Sequence, residues 1–270
     1  MPELPEVETV ARTLENKVGH ARIVDVEVRY APIVGNLENF ADMLKGQSFE
    51  KYERRGKYLV FRMTDLTLVS HLRMEGKYFV LDPDQQINEK HVHVIFHLDD
   101  GRRLCYNDTR KFGRMEVWPK DLDTTEFHDL GLEPFDENMN GEYLKGKMKN
   151  RDLPVKQLLL DQSIIAGIGN IYADEICFAC GLHPETSCRR LRKQDFENIA
   201  AATRDILGRA IEAGGTTIRS YTSSLGVTGR FQLSCMVHSR ETCGRCGKQL
   251  KKIRVGGRGT YYCPDCQKKR

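Results

Sequence analysis

The chain opens with MPELPEVETV, and its first residues include a possible nucleophile. Initiator methionine is normally removed before a small residue such as proline, which would leave Pro2 with a free secondary amine. An α-amino group has a pKa near 8 against about 10.4 for lysine, so it is roughly a hundredfold richer in the neutral form at neutral pH. Its attack on an aldehydic carbon yields an iminium, and Glu3 and Glu6 could move protons. The same residues also fit a helix entry whose terminus has no chemical role.

Two Cys-x-x-Cys pairs near the other end of the chain form a metal-ligand pattern. Cys243 and Cys246 are followed, after sixteen residues, by Cys263 and Cys266. Four thiolates close a tetrahedron around zinc without an open position, so we predict one structural Zn²⁺ and no organic cofactor. The alternative is four thiols without a metal. The intervening segment predicts a β-hairpin tipped by Arg258, whose guanidinium suits a phosphate.

The remaining cysteines predict no second metal site. The total of nine is odd and no export signal is evident, which favours metal ligation or reduced thiols over a disulfide framework. Cys177 and Cys180 also form a Cys-x-x-Cys pair, but they fall inside a predicted helix, where we expect thiols of the core.

Positive charge is concentrated in the C-terminal part of the chain. Residues 1–150 contain 22 Lys and Arg against 27 Asp and Glu, whereas residues 151–270 contain 20 against 11. Most of the excess lies in residues 231–270, with ten basic residues and two acidic ones. This favours a polyanionic partner, the alternative being a solvated basic surface without function. No apolar run approaches the roughly 18 residues of a membrane span, so no membrane partner is expected.

The elements that must position these residues follow from periodicity. A buried stripe with helical spacing predicts a helix from Pro5 onward; its members are Val7, Val10, Ala11, Leu14 and Val18. Between residues 22 and 118, short alternating or β-branched runs broken by turn residues predict an antiparallel sandwich or barrel. Helical patterns follow in 152–212, with Asn170 as the predicted cap of one helix, and a Gly- and Thr-rich loop follows at 213–229.

Six motifs carry a resemblance to a known family: MPELPEVET, RRGKYLVF, HLRMEGKY, NDTRKFG, GIGNIYADE and GGRGTYYCPDCQ. In this order the chain resembles the formamidopyrimidine-DNA glycosylases, bifunctional enzymes of base-excision repair, over its whole length. The resemblance implies an α+β protein: an antiparallel β-sandwich with flanking helices, then a helix-two-turn-helix module and a β-hairpin zinc finger. The corresponding limits are 1–132 for the catalytic domain, 133–150 for a linker, 151–232 for the DNA-binding domain with its lesion loop, and 233–270 for the zinc finger.

The resemblance also implies catalytic roles. Pro2 would attack C1′ of the damaged nucleotide, Glu3 would be the proton donor and general acid/base, and Glu6 would hold Glu3 and the sugar. Lys57 would contact phosphate near the lesion and aid catalysis; its alternative is an exposed strand lysine. Arg258 would act on the phosphate at the reaction site.

DNA binding is implied for a second group of residues. Asn170 and Arg258 would grip the phosphate beside the flipped nucleotide, and further contacts would come from His71, His91 and Lys156. Extrusion of a base leaves a gap in the duplex. Met74 would occupy this gap, Phe112 would wedge the duplex, and Arg110 would read the orphaned cytosine. Their alternative is core packing for the two apolar residues and a surface charge for the arginine. Lesion recognition is implied for Glu75, Thr216, Thr217, Ile218, Arg219, Ser220 and Tyr221.

The resulting functional hypothesis is a DNA glycosylase and AP lyase that excises 8-oxoguanine and formamidopyrimidines through a proline Schiff base followed by β,δ-elimination. We expect a monomer in the bacterial cytoplasm that associates with the nucleoid by binding double-stranded DNA with oxidised purines or abasic sites. An endonuclease VIII type enzyme for oxidised pyrimidines is one alternative, although void-filling residues on two loops favour the purine enzyme. A non-catalytic zinc-ribbon DNA-binding protein is the other. One departure from the family is VHSRETC, a shorter connection to the first zinc cysteine than the family's Arg-x-Gly-x-Pro-Cys run.

Overall fold

The computed structural model describes residues 1–35, 38–121, 123, 127, 129–216 and 229–270. These residues belong to two compact units: Met1–Glu126 with Gly214–Gly229, and Phe127–Ala213 with Arg230–Arg270. The loop after residue 213 therefore groups with the first unit, whereas the sequence-based limits, which stay a prediction, place it in the DNA-binding domain.

The described residues of the first unit form two α-helices and two antiparallel sheets. The sheets have the strand orders β1-β6-β7-β5 and β2-β3-β4-β8. The helices are α1 (Leu4–Val18) and α2 (Phe40–Leu44), and the strands are β1 (Ile23–Val28), β2 (Phe49–Arg55), β3 (Tyr58–Met63), β4 (Leu66–His71), β5 (Lys77–Leu81), β6 (Val92–Leu98), β7 (Arg103–Asn107) and β8 (Arg114–Pro119). A 3₁₀ turn, Glu89–His91, leads into β6.

The larger apolar core of this unit joins the two sheets and α1. Phe61 of one sheet meets Tyr78 of the other edge to face, with 5.9 Å between ring centroids. Every residue of the helical stripe predicted from the sequence is buried in this core. Each such side chain contributes roughly 2 kcal/mol, so the core holds α1 firmly in place. The α+β fold class predicted from the sequence, with an antiparallel β-sandwich in its N-terminal part, is confirmed.

Sheet register brings several strand ends to one edge of the sandwich. His71, the last residue of β4, pairs with Tyr58 at the start of β3 and with Arg114 at the start of β8. In the other sheet, Lys77 at the start of β5 pairs with Asn107 at the end of β7. The turn before β3 and the loops 72–76 and 108–113 therefore lie at the same edge.

The second unit consists of helices and a β-hairpin. Its elements are α3 (Gly141–Met148), α4 (Val155–Leu159), α5 (Asn170–Ala179), α6 (Lys193–Glu212), β9 (Lys251–Val255) and β10 (Arg258–Tyr262). Gln162 closes the turn between α4 and α5, because its Nε2 donates to the Ile168 carbonyl at 2.8 Å and its Oε1 accepts from the Gly167 N–H at 3.0 Å.

Helix α5 begins differently from the prediction. Gly169 occupies the N-cap position and Asn170 is the first residue of the helix, so the predicted cap is wrong. The physical reason is a competing partner: Asn170 Nδ2 donates to the Gly259 carbonyl of the hairpin at 2.9 Å. Farther along this helix, Cys177 is buried, as predicted for a thiol of the core, whereas Cys180 lies at the C-cap just beyond the helix and is only half-buried.

Candidate active site

The N-terminus lies among buried charged groups. Glu3 occupies the N-cap position of α1, and its backbone N–H donates to Glu6 Oε2 at 2.9 Å. Both carboxylates are only 3% exposed. Burial lowers the pKa of the Met1 amino group, and Lys57 adds to this effect, although Glu3, Glu75 and Glu6 oppose it. The Met1 amino group is therefore biased toward its neutral form.

Glu6 also binds Thr216, which precedes the remaining residues of the predicted lesion loop. Its Oε1 accepts from the Thr216 N–H at 2.7 Å and from the Thr216 hydroxyl at 3.0 Å. Gly215 has φ +76° and approaches so closely that a Cβ there would lie 2.8 Å from Glu6 Oε1. The two oxygens of Glu6 thus hold Glu3 and Thr216 at once. The predicted lesion-recognition residues Thr217, Ile218, Arg219, Ser220 and Tyr221 lie outside the described part of the chain.

Two basic side chains are buried at the edge of the sandwich. Lys57, in the turn before β3, is 7% exposed, which contradicts the alternative of an exposed strand lysine. His71 packs edge to face on Tyr58 and accepts the Arg73 N–H at Nδ1, at 2.9 Å. Burial above all, with the charges of Arg73 and Lys57, lowers the pKa of His71 to about 3. The imidazole is therefore neutral near pH 7, and its proton is assigned to Nε2 because Nδ1 is an acceptor.

The three residues predicted to fill a gap in DNA stand on two strained loops. Phe112 is 49% exposed, so the alternative of core packing is wrong for it. The guanidinium of Arg110 lies over its ring, with Cζ 4.7 Å from the centroid. Met74 is half-buried in the other loop. Arg73, before Met74, and Lys111, before Phe112, have φ values of 51° and 58°. Such conformations are unusual for residues other than glycine and are frequent at functional sites.

Asp108 holds the second loop and was missed from the sequence. This carboxylate is completely buried. Its Oδ1 accepts from the Arg110 N–H at 3.0 Å, and its Oδ2 accepts from the Phe112 and Gly113 N–H groups at 2.9 and 2.8 Å. The Asn-Asp-Thr run before this loop is a turn signal that could have identified it. Two predicted residues border the same edge: His91, whose carbonyl accepts from the Asp108 N–H at 2.9 Å, and the half-buried Glu75.

The second unit carries the other predicted DNA contacts. Arg258 is exposed at the start of β10, and the Asn170 amide is bound to the carbonyl of the next residue, Gly259. Lys156, by contrast, is completely buried. Its Nζ lies 2.7 Å from Asp174 Oδ1 and donates to Thr260 Oγ1 at 2.7 Å and to the Gly259 carbonyl at 3.3 Å. A direct DNA contact by Lys156 stays a prediction.

The four predicted metal ligands form a cluster that fits zinc. Sγ atoms of Cys243 and Cys266 are 3.9 Å apart, and those of Cys246 and Cys263 are 3.5 Å apart. All four atoms lie within 4.8 Å of one another. A tetrahedron with Zn–S bonds of about 2.3 Å requires sulfur separations of about 3.8 Å. The cysteines can therefore hold one structural zinc ion, as predicted.

Comparison with protein families matches nearly the whole chain. Residues 1–115 match the formamidopyrimidine-DNA glycosylase N-terminal domain, residues 130–222 match the H2TH domain of the same enzymes, and residues 240–269 match the zinc finger found in FPG and IleRS. The chain belongs to the formamidopyrimidine-DNA glycosylase family. The last match includes all four cysteine ligands, which supports one structural zinc in this family member.

Individual relatives agree over their full length. Formamidopyrimidine-DNA glycosylases from Bacillus cereus and Exiguobacterium sibiricum are 46% and 47% identical, each over 99% of both chains. A solved complex of Lactococcus lactis Fpg with DNA containing an abasic site has a TM-score of 0.93 at 38% identity, covering 99% of this chain and 100% of that one. Another complex of the Lactococcus enzyme contains DNA with N7-benzyl-Fapy-dG, with the same TM-score and coverage. Among the residues that the structure describes, no helix is long and apolar enough to cross a membrane.

Proposed function

We propose that this family member is a DNA glycosylase and AP lyase that excises oxidised purines, 8-oxoguanine and formamidopyrimidines, from double-stranded DNA. Curated relatives of equal length carry the enzyme's name, and the Lactococcus relative was solved with Fapy-dG and abasic-site DNA. The observation in this chain that carries the proposal is the burial of Pro2 directly before Glu3, whose backbone N–H is bound by the buried carboxylate of Glu6.

The chemistry begins at Pro2 once Met1 is removed. The Pro2 nitrogen forms a bond to C1′ as the glycosidic bond breaks, and the base leaves with that electron pair and a proton from Glu3. The sugar oxygen O4′ then leaves C1′ and takes the proton that the Pro2 nitrogen gives up, which produces an iminium. Loss of a C2′ proton expels the 3′ phosphate, and a second elimination expels the 5′ phosphate. Glu6 fixes the backbone of Glu3 during these steps.

Other described residues supply DNA contacts. His71 presents a neutral Nε2–H donor to a phosphate, and Asn170 with Arg258 binds the phosphate beside the extruded nucleotide. Phe112 wedges the duplex, Met74 occupies the gap and Arg110 pairs with the unpaired cytosine. The basic residues of 231–270 add sequence-independent attraction. Such binding would associate the protein with the bacterial nucleoid, which fluorescence microscopy of a C-terminally labelled chain would test.

Borohydride trapping tests the nucleophile. The parent, with its N-terminal mass determined, is incubated with an 8-oxoguanine duplex and sodium borohydride, and the covalent product is measured. Pro2→Leu should lose the product, because a bulky second residue retains Met1. Pro5→Ala, on the same helix start, should trap as the parent does. Equal trapping by Pro2→Leu and the parent would refute the role of Pro2, and absence of trapping in the parent would refute the lyase activity.

Substrate preference separates this proposal from its alternatives. Single-turnover cleavage of 8-oxoguanine opposite cytosine should be faster than cleavage of a thymine glycol duplex of the same sequence. The reverse order would indicate an enzyme for oxidised pyrimidines. Salt-sensitive binding without any cleavage would indicate a non-catalytic DNA-binding protein.

A further inference from the structure

A completely buried ion pair lies beneath the hairpin that carries Arg258. The side chains of Lys156 and Asp174 are both 0% exposed, and Nζ is 2.7 Å from Oδ1. Burying two charges is expensive, and hydrophobic residues often replace such a pair without loss of stability. Stability alone is therefore a weak explanation for this ion pair, and its contacts indicate another role.

Both members of the pair contact the residues that follow Arg258. Lys156 donates to the Gly259 carbonyl and to Thr260 Oγ1, while Asp174 Oδ2 accepts from the Tyr261 N–H at 3.2 Å. The first three residues after Arg258 are thus each bound by the pair. No other described lysine is completely buried.

The same carboxylate is linked to Asn170 and to the segment before the zinc finger. Asn170 and Asp174 are four residues apart on α5, so they share one face of the helix. Asn170 Nδ2 and Lys156 Nζ both donate to the carbonyl of Gly259. Asp174 Oδ2 also lies 2.7 Å from His238 Nδ1, which belongs to the shortened VHSRETC connection.

Neighbouring Glu175 has a separate task. Its carboxylate accepts three backbone N–H groups, from Met236, Val237 and His238, at 2.8 to 3.0 Å. Glu175 therefore anchors only the chain that enters the finger, whereas Asp174 contacts that chain at His238 and also the hairpin between the two cysteine pairs.

We propose that Asp174 is a positioning residue for phosphate binding. Through its ion pair with Lys156 and its own bond to Tyr261, Asp174 fixes the position of the hairpin relative to α5. This position sets the distance between the Arg258 guanidinium and the Asn170 amide. Lys156 then acts from inside the protein by holding Gly259 and Thr260, rather than at the DNA surface. This inference rests on the proposed function only in that Arg258 and Asn170 bind a phosphate of the lesion strand.

A double-mutant cycle tests the proposal in the full-length, zinc-loaded protein. Affinity for a duplex with a tetrahydrofuran abasic analogue is measured for the parent, Asp174→Asn, Arg258→Ala and the double variant. Asp174→Asn keeps the shape of the side chain but removes its charge. We expect it to weaken binding by about ten- to a hundredfold, the range typical of a misplacement near 1 Å. In the Arg258→Ala background the same substitution should weaken binding less than twofold, because the group it positions is absent.

Asp195→Asn is the matched control. Asp195 is a buried carboxylate of the same unit that accepts the Arg192 N–H at 2.7 Å at the start of α6 and pairs with Arg270, and it has no contact to the hairpin in the described structure. It should lower the unfolding temperature and leave DNA affinity within twofold of the parent. Zinc content, measured for every variant, should stay at one ion per chain.

Independent, multiplicative losses for Asp174→Asn and Arg258→Ala would overturn the proposal, as would parental affinity of Asp174→Asn. If Asp174→Asn does not fold, Asp174→Glu replaces it in the cycle; the charge is retained but displaced by one methylene, and the same coupling to Arg258 is required. A different result would contradict the proposed function without affecting the test of Asp174. A parent that binds the abasic duplex but neither cleaves nor traps would contradict the glycosylase chemistry and leave the cycle readable.

Discussion

His71 shows how one buried side chain acquires a fixed protonation state. Its imidazole accepts an N–H at Nδ1 and lies near the cations Arg73 and Lys57, so protonation is opposed by burial and by charge. The Nε2–H donor therefore stays uncharged across the physiological range, so the proposed phosphate contact would be that of a neutral group. A histidine with an ordinary pKa near 6.5 would instead gain charge in mild acid.

The depressed pKa predicts acid sensitivity. Between about pH 6.5 and 3 the unfolded chain binds a proton at His71 that the folded chain does not, so stability falls as pH falls through this window. The contribution is about 1.4 kcal/mol per pH unit. Urea unfolding of the parent and His71→Gln at pH 7, 6 and 5 should show a shallower decline in the variant. Equal slopes would contradict a buried neutral His71.

At the scale of single residues, the sequence identified candidate site residues better than it predicted their burial and contacts. Phe112 was assigned to a DNA contact and is indeed exposed, and the four cysteines cluster as their spacing indicates. The burial of Lys156 was not predicted, because its partner Asp174 is eighteen positions away and Thr260 more than a hundred, and no periodic pattern marks such contacts.

At the scale of structural elements, the conformation of the loop 108–113 depends on the carboxylate of Asp108. Asp108 accepts three N–H groups of this loop, and Lys111 within it has positive φ. The conformation that exposes Phe112 is therefore maintained by hydrogen bonds that compensate for backbone strain.

Removing this carboxylate should disable the wedge. Asp108→Ala leaves buried N–H groups without an acceptor, which should reduce the free energy of unfolding by at least about 2 kcal/mol. Cleavage of an 8-oxoguanine duplex under single-turnover conditions should fall by about a hundredfold at a temperature where the variant is folded. Asp84→Ala, at an exposed loop position of the same unit, is the control. Parental cleavage by Asp108→Ala would refute this role.

The start of the lesion loop allows a similar test. Gly215→Ala introduces strain from positive φ and a Cβ that collides with Glu6, whereas Gly46→Ala meets the strain alone, since nothing lies within 4 Å of its Cβ. Both should lose about 1 kcal/mol of stability from the backbone. Only Gly215→Ala should also lower the rate of base excision, measured with saturating enzyme, because it separates Thr216 from Glu6. Similar rates for the two variants would contradict the coupling.

Sequence patterns located elements more accurately than the contacts between them. The stripe of α1 and the alternating strand runs reflect burial, which repeats with helix or strand period. The bond between Glu6 and Thr216 joins residues 210 positions apart and has no period to detect. The start of α5 was misplaced by one residue because the Asn170 amide binds the hairpin instead of capping its own helix.

In the molecule as a whole, the two units can be monitored by different spectroscopic and chemical signals. Its single tryptophan, Trp118, lies in β8 of the first unit, whereas all four zinc ligands lie in the second. Tryptophan emission therefore reports on the sandwich alone, and zinc content reports on the finger.

Removing zinc should separate DNA binding from the integrity of the sandwich. Structural zinc sites couple metal binding to folding, so chelation should release one zinc ion per chain, detectable with a metallochromic dye, and abolish tight binding of the abasic duplex. The wavelength of Trp118 emission should not change, and added zinc should restore affinity. A shift in emission on chelation would show that the finger also maintains the first unit.

Residues 214–229 belong to the first unit, so segments of the two units alternate along the chain. The first unit is completed by a piece of chain that arrives only after α6, and the polypeptide then returns to the second unit to form the finger. A fragment that ends at residue 126 would keep the proposed nucleophile but lack Thr216, so the carboxylate that steadies Glu3 would lose its second partner. Because each unit consists of two chain segments, neither can be released by one proteolytic cut or exchanged by one recombination event. The bond between Glu6 and Thr216 can thus form only after the chain has been synthesised beyond α6.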